Sequence, residues 1–134
     1  MYKKIIVALA LDHGISETAL AKAKKLLDPG GAIIALHVYE APSGMAGAYI
    51  SEEDIKRSRD TAQKRLEERV RDVPEAMPHL IVGHSGRVIA DFAKEQNADC
   101  IIMGSHKPDL ADYFLGSTAA RVVRHAHCSV VVLR

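Results

Sequence analysis

HLIVGHSGRVIADFAKEQNADCIIMG, His79 to Gly104, opens on an apolar run, passes through a helical pattern and closes on a second apolar run. HLIVG and CIIMG are continuous rather than alternating, as strands covered on both faces read. Between them Val88, Ile89, Phe92 and Ala93 recur at helical spacing. A strand, a helix and a strand in succession argue for parallel strands joined by a right-handed crossover.

Outward from this unit the same alternation continues. KKIIVALAL (Lys3 to Leu11), AIIALHV (Ala32 to Val38) and SVVVL (Ser129 to Leu133) bring the apolar runs to five. Ser16 is placed to cap a helix whose apolar face holds Ala19, Leu20, Ala23, Leu26 and Leu27, ended by Pro29-Gly30-Gly31. Ser51-Glu52-Glu53-Asp54 resembles a capping box and opens a long helix with Ile55, Ala62, Leu66 and Val70 on one face, running down to Pro74. Its remaining charges are mixed in sign at helical spacing, which reads as a solvated face. A last helix carries Ala119, Val122, Val123 and Ala126. The pattern predicts an α/β fold: a single open five-stranded parallel sheet with helices on both faces, forming one domain over residues 1–134.

Composition narrows the function. At 134 residues, 48% hydrophobic and 26% charged, the chain suits a globular domain and contains no run long enough to span a membrane. A net charge of +1 gives no basic excess for nucleic acid. The opening MYKKIIVALALDHG lacks a signal-peptide cleavage pattern and reads as a first strand, so a cytoplasmic protein is expected. Cys100 and Cys128 lie in apolar runs without C-x-x-C spacing, as buried free thiols do. His37, within a strand, reads as a satisfied core residue. His125, His127 and Cys128 have no matching distant ligand pair, so no zinc site is expected.

In open parallel sheets ligands settle outside the carboxyl ends of the strands, where the strand order reverses. GSHKPDLADYFLGSTAARVV, Gly104 to Val123, leaves such an end and enters the last helix through Gly116-Ser117-Thr118. Small residues there admit an anion to the helix amides. On spacing alone, an anion site and a plain strand end followed by a plain helix start are equally open. Gly83-His84-Ser85-Gly86 reads as the tight turn into the third helix, and Glu40 to Ile50 as a segment able to form a flap over a ligand. No Walker loop, no G-x-G-x-x-G after the first strand and no G-x-S-x-G occurs.

Together the strand and helix alternation, the loop G-S-H-K-P-D-L-A-D-Y-F-L-G-S-T-A-A and the ending V-V-R-H-A-H-C-S-V-V-V-L-R resemble the universal stress protein family over essentially the whole chain. Its nucleotide-binding members carry Gly, two residues, Gly, nine residues, then Gly-Ser or Gly-Thr. This sequence keeps Gly104 and Gly116-Ser117, with Lys107 at the second glycine and only eight residues from Pro108 to Leu115. It is closer to a branch with Ser-His-[Arg/Lys]-Pro in the loop, whose members bind ATP or AMP.

The resemblance implies an adenine nucleotide alpha hydrolase-like fold of strand order 3-2-1-4-5 and a stress-response regulator that holds ATP, ADP or AMP, with or without Mg²⁺. It places adenine against Ala8, Leu9 and Val38. It places ribose and phosphates at Met103, Gly104, Ser105 and His106, and at Gly116, Ser117, Thr118 and Ala119. Lys107 is positioned to supply a point charge to a phosphate. Ala10 stands where the family commonly has an aspartate, and Asp12 is the substitute two residues later.

Near the loop only Asp109 and Asp112 offer carboxylates for Mg²⁺, so any ATP hydrolysis on this fold is expected to be slow. An adenylating relative would show Ser-Gly-Gly-x-Asp-Ser where this chain reads ALDHGIS. A phosphoacceptor receiver lacks its aspartate after HLIVG, and a flavodoxin-like carrier lacks aromatic residues for a flavin. The final strand, a strong β former, is expected at a sheet edge, where it would pair two copies into a homodimer, or a tetramer built from it.

Overall fold

A computed structural model of the chain describes residues 1–11, 14–42, 44–105 and 115–134. The elements run β1 (Tyr2–Ala8), α1 (Ser16–Leu26), β2 (Leu27–Tyr39), α2 (Gly44–Ala48), α3 (Glu52–Val70), β3 (Ala76–Val82), α4 (Ser85–Glu95), β4 (Cys100–Gly104), α5 (Ser117–His125) and β5 (Ser129–Leu133). The five strands form one sheet in the order β3-β2-β1-β4-β5, and every neighbouring pair is parallel. The expected fold class and strand order are what the structure shows.

Two cores result from the two-residue side-chain period of the central strand. Ile5 and Val7 face α1 and α3, where they pack with Ala19, Leu20, Ala23, Ala62, Leu66 and Val70. Ile6 points the other way, into a layer with Ile89, Phe92, Ala93, Ala119 and Val122 of α4 and α5. Ile5, Ile6 and Val7 are all fully buried, which explains why the run is apolar without alternation.

Helix ends follow their local chemistry, with two corrections. Ser51 caps α3 as expected, its hydroxyl accepting from the Asp54 amide at 3.1 Å. Ser16 does not cap α1. It lies inside the first turn behind Ile15, fully buried, with its hydroxyl lacking a hydrogen-bond partner among the described residues. Pro29-Gly30-Gly31 does not follow α1 directly either, because β2 already begins at Leu27 and the three residues form an irregularity in its register with β1. Gly30 takes φ +79, and a Cβ on Gly31 would stand 2.8 Å from the Lys3 carbonyl, so both positions require glycine.

Past α4, Asn97 adopts φ 53. The Ala98 amide donates to the Ala93 carbonyl at 2.9 Å and the Asn97 amide to Lys94 at 3.1 Å, a Schellman ending with asparagine in place of glycine. Asp99 then ties β4 to β1, accepting from the Lys3 and Lys4 amides at 2.9 and 3.0 Å. Cys100 is buried and free, and burial, followed by the nearby Cys128 and Asp99, pushes its thiol up to about 11. Cys128 is free but only half-buried, because it precedes an edge strand rather than a central one. No helix among the described residues is long and apolar enough to cross a membrane.

Candidate functional site

The order β3-β2-β1-β4-β5 reverses beside β1: the chain moves outward through β2 and β3, then returns to the other side of β1 for β4 and β5. The helices following β1 and β4 therefore lie on opposite faces, and a crevice opens where they part. A cleft of about 770 Å³ lies there, within the usual size of small-molecule sites.

Its base is made by strand ends. Ala8, Leu9 and Ala10 continue β1, with Leu36, His37 and Val38 of β2 beside them and Met103, Gly104 and Ser105 of β4 across the switch point. The Leu9 amide donates to the Leu36 carbonyl at 2.8 Å, and Ser105 donates to Leu133 at 2.7 Å, so the sheet's hydrogen bonding extends into the cleft. Gly104 has ordinary backbone geometry. A Cβ there would meet Ile15 Cδ1 at 3.4 Å, ordinary contact with the residue that precedes α1, and both residues line the cleft.

Two helix starts form the walls. At α5, Gly116 is the N-cap, and its amide is already used by the Ser105 carbonyl at 2.7 Å. Among the described residues no side chain caps the helix, so the amides of Ser117, Thr118 and Ala119 carry the positive end of its dipole to the cleft. At α4 the corresponding position is occupied: Glu40 accepts from the Ser85 amide at 2.8 Å and from the Ser85 hydroxyl at 2.7 Å. The Ser85 hydroxyl also lies 3.3 Å from that of Thr118, joining the two starts.

Of the residues expected from sequence, Ala8, Leu9, Val38, Met103, Gly104, Ser105, Gly116, Ser117, Thr118 and Ala119 all line this cleft. His106, Lys107, Asp109, Asp112 and Asp12 lie outside the described residues. Ala10 lines the cleft and is exposed. In the segment expected to form a flap, only Glu40 among the described residues lines the cleft, while Met45 and Tyr49 stand in solvent.

Several lining residues escaped the sequence reading. His37 has a bonded ring nitrogen, as a core histidine should, since Nδ1 donates to the Leu9 carbonyl at 2.8 Å, and a carbonyl can only accept. Yet its ring also borders the cleft and a smaller cavity of about 180 Å³ beneath α3. His84 and Ser85, read as part of a turn, and Leu133 and Arg134, read as a strand end, complete the walls. Their common signal was position, at or just past the carboxyl end of a strand. Gly83 lies in the short connection to α4 as expected, but Gly86 lies inside the first turn of α4, where a Cβ would stand 2.8 Å from Arg121 Cδ and close packing against α5 favours glycine.

A doubly wound parallel sheet with a roomy cleft at its switch point defines an α/β small-ligand-binding fold. Comparison with known proteins narrows the class. The sequence model of the universal stress protein family matches residues 1–134, and the chain belongs to that family. It is 33% identical over 141 residues to universal stress protein A homolog 2 of Coxiella burnetii, covering 99% of this chain and 95% of that one. Among solved structures, hypothetical protein MJ0577 superimposes with a TM-score of 0.82 at 26% identity, over 99% of this chain and 96% of the other. The Archaeoglobus fulgidus universal stress protein in complex with dAMP shares the fold, with a TM-score of 0.64 at 24% identity over 99% and 98% of the two chains.

Proposed function

We propose that this protein is an adenine-nucleotide-binding regulator of the universal stress protein family, belonging to the branch with Ser-His-Lys-Pro in its loop. Adenine lies against Ala8, Leu9 and Val38. Ribose and phosphates meet Met103, Gly104, Ser105, His106 and Lys107, and then the first turn of α5 at Gly116, Ser117, Thr118 and Ala119. The observation that carries this reading is the start of α5 opening on the cleft, where no described side chain caps the helix and its backbone amides and dipole await an anion. A dAMP complex in a protein of the same fold supports the choice of an adenine nucleotide.

ATP, ADP and AMP are all candidates, with Mg²⁺ accompanying the longer tails. Regulation by cellular nucleotide needs only micromolar affinity, about -8 kcal/mol. The protein acts in the cytoplasm as one domain over residues 1–134 and pairs through β5. Phosphate release from ATP stays below about one per second, short of an ordinary enzyme rate. The test is to extract purified protein with acid, identify any nucleotide released, and titrate ATP, ADP and AMP calorimetrically into the chain and its Gly116→Val variant. The expected result is micromolar binding to the parent chain and at least about tenfold weaker binding to the variant. Equal binding to both overturns the site, and phosphate release faster than about one per second favours a hydrolase.

A further inference from the structure

We propose that Glu40 sets how much negative charge the bound nucleotide's tail carries, selecting the magnesium chelate of a triphosphate over the metal-free triphosphate. The inference rests on the nucleotide reading above. Two helix starts face the cleft, and their situations differ. The start of α4 already holds an anion, the Glu40 carboxylate, gripped through one oxygen by the amide and hydroxyl of Ser85 at 2.8 and 2.7 Å. The start of α5 has no side-chain cap among the described residues.

The two are not independent. Because the Ser85 hydroxyl also lies 3.3 Å from the Thr118 hydroxyl, the carboxylate oxygen is no more than two hydrogen-bond lengths from the first turn of α5. Glu40 and Thr118 both line the cleft. A phosphate received at α5 therefore meets a fixed negative charge on its α4 flank. Arg134 also lines the cleft, but at the end of β5, on the opposite side of β1 and β4 from β2, which leads into Glu40. The α4 flank is therefore the one that repels the tail.

Repulsion grows with tail charge, and chelation of Mg²⁺ roughly halves that charge. At such a separation near a protein surface, one carboxylate changes affinity for a charged group by about three- to tenfold after screening. Ser85 acts here as a positioning residue, because its two donors hold the carboxylate in place rather than leaving it free to turn outward.

The experiment compares ATP in excess EDTA with ATP in excess MgCl₂ by calorimetry, on the parent chain and on Glu40→Gln. Glutamine keeps an acceptor for both Ser85 donors and removes the charge, and Glu40 is exposed, so folding is retained and is checked by thermal unfolding without ligand. The parent chain is expected to favour Mg-ATP. Glu40→Gln is expected to shrink that preference by about three- to tenfold, because metal-free ATP gains more affinity than Mg-ATP does. Ser85→Ala, which releases the carboxylate, is expected to shift the preference in the same direction by less. An unchanged ratio in Glu40→Gln, with both proteins binding nucleotide, overturns the inference and leaves the nucleotide reading standing. Absence of ATP binding to the parent chain under both conditions overturns the two together.

Discussion

At Gly104 the missing side chain serves space rather than conformation. A Cβ fits against Ile15 at 3.4 Å, so Gly104→Ala keeps its backbone and adds a methyl group to the lining of the cleft. Its thermal midpoint should therefore change little, by less than about 1 kcal/mol in stability, while ATP affinity falls at least about tenfold in calorimetry. Asp99 shows the opposite balance. Burial raises its carboxyl, but the amides of Lys3 and Lys4 outweigh burial and leave it below its ordinary 3.8. A lowered folded value means that its contribution to stability is present above the unfolded value and fades as pH falls below about 4. Asp99→Asn should cost about 1 kcal/mol at pH 7, kept small by partial exposure, and should flatten the decline of the urea midpoint between pH 5 and pH 3 relative to the parent chain.

Elements are held by their ends and by one buried stripe each. The α3 helix is charged over most of its length and stays on the sheet through Ala62, Leu66 and Val70. Leu66 is fully buried, so Leu66→Ala should destabilise by about 2–5 kcal/mol in chemical denaturation. Ser51→Ala, which removes only the cap of the same helix, should cost about 1 kcal/mol. Asn97 tests the ending of α4. Asn97→Gly should be neutral or slightly stabilising, whereas Asn97→Val should lose about 1–2 kcal/mol, since a β-branched residue resists positive φ. These endings differ in how plainly the sequence announces them. Ser51 stood before three acidic residues and signalled its cap, but Ser16 carried the same residue type without the role, because α1 begins one residue earlier and burial holds Ser16 against the core.

For the molecule as a whole, both outer strands, β3 and β5, leave one side of their backbone unpaired by the sheet. In β3, Pro78 removes a donor and Met77 and Val82 are exposed, so that edge is a poor template for pairing. β5 has no proline, and its valines are only half-buried. Replacing Val130 and Val132 by lysine should convert the dimer proposed through β5 into monomer in analytical ultracentrifugation, and a dimer that survives the change removes β5 as the interface. The cleft belongs to this scale as well, because its walls come from β1, β2, β4, β5, α4 and α5 and exist only once the strand order is set.

By itself the sequence determined the layers: apolar runs of strand length need cover on both faces, and the intervening helices each carry one stripe to supply it. It also marked Gly104 and Gly116-Ser117 as places where backbone could be approached, because small residues leave a local signature. What only the tertiary structure decided is which distant residues share a wall. Glu40, Ser85 and Thr118 follow three different strands and meet because parallel strands bring all their carboxyl ends to one edge. No local pattern encodes that meeting, since hydrogen bonds between residues 33 and 45 positions apart depend on strand order and register.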